Sequence, residues 1–176
     1  MRRSTFATLI LAAGLPARLA AQDCDLGLTA FEETTRAYAA EVATLSRDLT
    51  NGFASFARIE TAARDQPDTC PADLAGSRDA ASALAGRGLL DRSDELLGCG
   101  TFFNRRVLGD IATAQATGDS QLMLRLGEVQ QRIFAVETAA VDATRQATFL
   151  GLRADALVAE HDALQRRCAL LGDVYD

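Results

Sequence analysis

DSQLMLRLGEVQQRIFAVETAAVDATRQATFLGLRADALVAEHDALQRRCALLG, residues 119–172, places a seam residue at every alternating step of four and three. The series is Leu122, Leu126, Val129, Ile133, Val136, Ala140, Ala143, Ala147, Leu150, Ala154, Leu157, His161, Leu164, Cys168 and Leu171, and only His161 is strongly polar. A 3.5-residue repeat keeps one stripe of a helix turned toward a partner, so the stretch predicts one long helix with a coiled-coil-like seam. Asp119 or Ser120 can cap its start after Gly118, and Gly172 can end it. Unbroken, it would reach about 75 Å at 1.5 Å per residue. Gly127 and Gly151 are the expected bends.

Working back along the chain, the same stepping runs from Leu28 through Phe31, Thr35, Tyr38, Val42, Leu45, Leu49, Gly52, Phe56 and Ile59 to Ala63. This is a second long helix, with Asn51-Gly52 its weak point because that dipeptide is also a turn signal. Between the two lies a segment divided by Pro67, Pro71, Gly76, Gly86, Gly88, Gly98 and Gly100, with short helices expected over 72–85, 89–97 and 101–117. No alternating run suggests a strand. The last helix also carries Phe134, Val141, Phe149 and Leu152 off its seam, which calls for cover on several sides. The expected fold is therefore all-α: an elongated antiparallel bundle with long N- and C-terminal helices and a short-helix, loop-rich head.

The N-terminus adds a compartment. Arg2 and Arg3, an apolar stretch from Thr5 to Leu15 and Leu19-Ala20-Ala21 have the form of a secretory signal peptide over residues 1–21, with cleavage expected after Ala21. The apolar stretch is about half the roughly 20 residues that span a bilayer. Residues 22–176 then form one domain, periplasmic or secreted, with 15 arginines against 24 acids and a net charge of −9. Such a charge disfavours nucleic acid and anionic lipid as partners.

All four cysteines, Cys24, Cys70, Cys99 and Cys168, lie after the leader, and an even number in an exported chain implies two disulfides. With the long helices set antiparallel and residue 24 level with residue 170, Cys24 falls beside Cys168, and Cys70 meets Cys99 across the loops. Those are the expected pairs. The same frame sets Ala140, Ala143 and Ala147 against Leu49, Phe53 and Phe56.

The residue inventory removes much chemistry. The chain has no lysine and one histidine, so Schiff-base lysines, phosphate-loop lysines and multi-histidine sites are excluded. No C-x-x-C, EF-hand or G-x-S-x-G spacing is present, and no cofactor or metal ligand set is expected. His161 stands between Glu160 and Asp162, but adjacent helical residues point about 100° apart. It is expected to be a seam histidine, with a pH-sensitive contact to Glu32 or Glu33 as the functional reading. Within the head, Arg87, Leu89, Leu90 and Arg92 combine apolar anchors with arginines and form the candidate interaction site. The functional expectation is a non-catalytic scaffold, adaptor or client-binding protein of the cell envelope, its partner another envelope protein or a second copy. A small-ligand or sensory bundle is the alternative.

Overall fold

The computed structural model describes Cys24, residues 27–66 and residues 70–175, the last five by backbone alone. The expected signal peptide, residues 1–21, and its expected cleavage site lie outside the described residues. Among the described residues four helices follow one another: α1 (Leu28–Asp65), α2 (Leu74–Ala85), α3 (Leu89–Thr117) and α4 (Ser120–Tyr175). Among the described residues there is no strand. The chain is an all-α bundle of three legs, in which α1 ascends, α2 and α3 together descend, and α4 ascends again.

Cross-helix contacts fix these directions. Arg132 on α4 reaches Glu32 on α1, Leu157 lies against Gly52, and His161 packs on Phe56, so the two long helices climb together. Toward the descending leg the order reverses: Arg87 pairs with Asp48, the Tyr38 hydroxyl donates to the Leu89 carbonyl, and Cys24 is bonded to Cys99. The antiparallel setting expected for the long helices is thus corrected to a parallel one. Residues 74–117 together travel the length of α1, and the chain must therefore start α4 at the end where α1 started.

Most of each seam is buried as its spacing requires, though Leu122 at the start of α4 is 40% exposed. Phe31, Thr35, Tyr38, Val42, Leu45, Leu49, Phe56 and Ile59 line the inside of α1, facing Ile133, Ala140, Ala143, Ala147, Leu150, Ala154, Leu157, His161 and Leu164 of α4. α1 runs unbroken through Asn51-Gly52. α4 likewise runs through Gly127, Gly151 and Gly172. Gly98 and Gly100 do not divide α3 either, since residues 89–117 form one helix. At Gly100 a side chain would crowd Glu137, with a Cβ 3.2 Å from its Cγ.

One turn does follow the local code. Gly118 adopts φ +69°, a conformation glycine enters without steric cost, and closes α3. The Gly118 amide donates to the Gln115 carbonyl and the Asp119 amide to Ala114, the paired bonds of a Schellman ending. Asp119 then caps α4, its Oδ1 accepting from the Leu122 amide at 2.9 Å.

The disulfides join Cys24 to Cys99 and Cys70 to Cys168, correcting the expected pairs. Cα separations of 5.3 and 5.4 Å suit the bond. With α1 and α4 parallel, Cys24 sits at the start of α1 and Cys168 toward the far end of α4. Each bridge therefore staples one end of α1: Cys24 to the middle of α3, and Cys70, just past α1, to the last turns of α4. Cys70 and Cys99 bracket no separate head.

Candidate functional site

Between the second half of α1 and the short helix α2 runs an open groove of about 1050 Å³, floored by Leu157 and His161 of α4. Its cause is local composition. Gly52, Ser55 and Ala62 of α1 look across at Gly76, Ser77 and Ala80 of α2, and small side chains on both walls leave space that larger residues would fill. The Asp48–Arg87 ion pair, at 2.6 Å, stands at one end of the groove.

His161 is 1% exposed and tied on every side. Its Nδ1 is 2.8 Å from the Leu157 carbonyl oxygen, which can only accept, so Nδ1 carries the proton. On the neutral ring Nε2 is then the acceptor, and the Ser77 hydroxyl donates to it at 2.8 Å. The ring also packs against Phe56, centroid to centroid 4.6 Å. Ser77 and His161 thus form a satisfied polar contact linking α2 to α4, with the hydroxyl half-buried at the groove. A hydroxyl held by an oriented imidazole is the first part of a nucleophile–base pair. The neighbouring Asp162 carboxylate is not behind the ring; it binds Arg78 Nε at 3.0 Å. That hydrogen bond and charge raise the Arg78 guanidinium above its already high ordinary value.

The expected contact of His161 with Glu32 or Glu33 does not form. Glu32 lies far down α1, where its Oε1 accepts from Nε and Nη2 of Arg132 at 3.1 and 2.9 Å. The parallel course of the long helices is the reason.

The structure places the four candidate interaction residues along the flank of α1. Arg87 is engaged with Asp48, while Arg92 pairs with Glu41 and lies 5.8 Å from the centroid of the Tyr38 ring. Leu89 is buried and accepts the Tyr38 hydroxyl proton at its carbonyl. Leu90 alone of the four presents a largely free apolar side chain.

Among the described residues, the most exposed large apolar side chains lie elsewhere. The other two legs cover only one side of α4, so Phe134, Phe149, Leu152 and Leu170 are 60–68% exposed on its outer side. Near the α3–α4 turn, Leu124 is 74% exposed, with Met123 and Leu108 also open. The off-seam spacing of Phe134, Phe149 and Leu152 is legible in the sequence, but the cover expected for them is not supplied within this chain. The exposure of Leu124 and Leu108 is not legible there, because nothing local shows that α3 and α4 continue beyond the level at which α1 begins.

Among the described residues no helix is long and apolar enough to cross a membrane, and no cluster of three His, Cys, Asp or Glu could hold a metal ion. Compared with known protein families, curated proteins and solved structures, the chain gives no match.

Proposed function

We propose that this chain is an exported, non-catalytic helical scaffold, adaptor or client-binding protein of the cell envelope, acting through the outer face of α4. One observation carries the reading: an acidic chain leaves Phe134, Phe149, Leu152 and Leu170 open along one long helix. Extended exposed apolar surface is characteristic of interaction sites. The signal-like N-terminus supports export, and two disulfides are compatible with an oxidising, extracytoplasmic location. Proximity labelling in the native envelope tests it, comparing the wild type with Phe149→Glu. Specific labelling of envelope proteins that the variant loses supports the reading; labelling unchanged by the variant sinks it.

The groove supports a second reading, a small-ligand or sensory bundle. Its volume is at the upper edge of ligand pockets, and it offers polar groups from Ser77, Asn51 and Arg58 above a floor of Leu157 and His161. Native mass spectrometry of protein purified from the envelope should show a retained small molecule, displaced by Gly76→Phe. A bare protein mass would reject this reading.

A further inference from the structure

We infer that the outer face of α4 is a self-association surface, on which a second copy of this chain packs antiparallel about a two-fold axis between Ala143 and Thr144. This goes beyond the proposed function by naming the occupant and the register.

At 100° per residue, Phe134, Thr138, Arg145, Phe149 and Leu152 share an arc of about 60°. That arc points away from the buried Ala140, Ala143, Ala147 and Leu150. Midway along the stretch 134–152 the charges are Arg145, within this arc, and Asp142, at its border. Their own ion pair is loose, 4.0 Å, with both side chains well exposed, so it holds neither in place.

The pattern is complementary to itself in one direction. About the stated axis, Asp142 of each copy meets Arg145 of the other, twice over. Thr138 meets Phe149, and Phe134 lies beside Leu152. Apolar groups thus meet at both ends of the contact and opposite charges at its centre, the arrangement an isologous two-fold interface requires. A parallel pairing would set Asp142 on Asp142 and Arg145 on Arg145. Like charges opposed at a contact are penalised, so charge selects the antiparallel arrangement. The same register carries the exposed Leu124 of one copy to Ala163 of the other, and covers apolar surface near the α3–α4 turn that α1 leaves open.

Analytical ultracentrifugation of the oxidised chain lacking the leader should give twice the chain mass. Phe134→Glu with Leu152→Glu should give a monomer of unchanged helicity and melting temperature. Asp142→Arg and Arg145→Asp should each be monomeric alone, yet form a heterodimer when mixed, because the mixture restores both opposite-charge pairs. Benzoylphenylalanine at position 134 distinguishes direction: crosslinks should fall near residues 152–153 of the second copy, not near residue 134. A monomeric wild type, failure of the charge-reversed pair to associate, or crosslinks at residue 134 would overturn the inference. A monomer that still crosslinks to a different envelope protein through this face would leave the proposed function standing, so the two fail separately.

Discussion

Gly52 of α1 lies directly against Leu157 of α4: a Cβ at position 52 would come within 2.9 Å of the leucine Cδ2. The glycine that reads as a helix break is a point of close approach between the two long helices. Phe56 and His161 repeat the same offset of 105 residues one turn on. That offset is fifteen heptads, so it brings the two seams into step along their length.

Gly52→Ala should be close to neutral. Removing glycine from a helix interior gains about 1 kcal/mol, and the methyl displaces only the end of a leucine side chain. Gly52→Leu should destabilise by about 1–3 kcal/mol through overpacking. Denaturant unfolding followed by circular dichroism checks both. Equal tolerance of alanine and leucine would argue against the close approach.

Non-reducing peptide mapping should recover Cys24 linked to Cys99 and Cys70 linked to Cys168. With sequence separations of 75 and 98, loop closure corresponds to about 4.5 and about 4.7 kcal/mol on the chain-entropy model. Paired replacement of Cys70 and Cys168 by alanine should therefore lower stability by about 2–5 kcal/mol. The complementary peptides, Cys24 with Cys168, would refute the parallel arrangement of α1 and α4.

Ser77→Ala should leave Nε2 of His161 buried without its donor and cost about 1–3 kcal/mol. The partner change His161→Leu removes the polar demand, so adding Ser77→Ala to it should cost much less. A double-mutant cycle reads this coupling. Additive effects would show that the hydrogen bond contributes nothing.

Arg87→Ala and Arg92→Ala should each cost no more than about 1 kcal/mol, since both ion pairs are partly exposed, with Arg92 the costlier because it also covers Tyr38. Leu90→Ala should leave stability unchanged within about 0.5 kcal/mol. Thermal melts of the three single variants check the ranking.

The sequence by itself determined which side of each long helix is buried. Phe31 to Ile59 and Ile133 to Leu164 lie inside because a 3.5-residue apolar period turns one stripe toward a partner whatever that partner is. It also determined the turn at Gly118-Asp119, where glycine's freedom at positive φ and a carboxylate cap act within a few residues. Direction was decided only by the tertiary structure, because a heptad seam has no polarity and fits a partner running either way. Residues 74–117, read locally as a head of short pieces, instead form a full descending leg. That leg sets α4 parallel to α1, gives Cys24 and Cys168 different partners, and places His161 beside Ser77 and Phe56, far from Glu32.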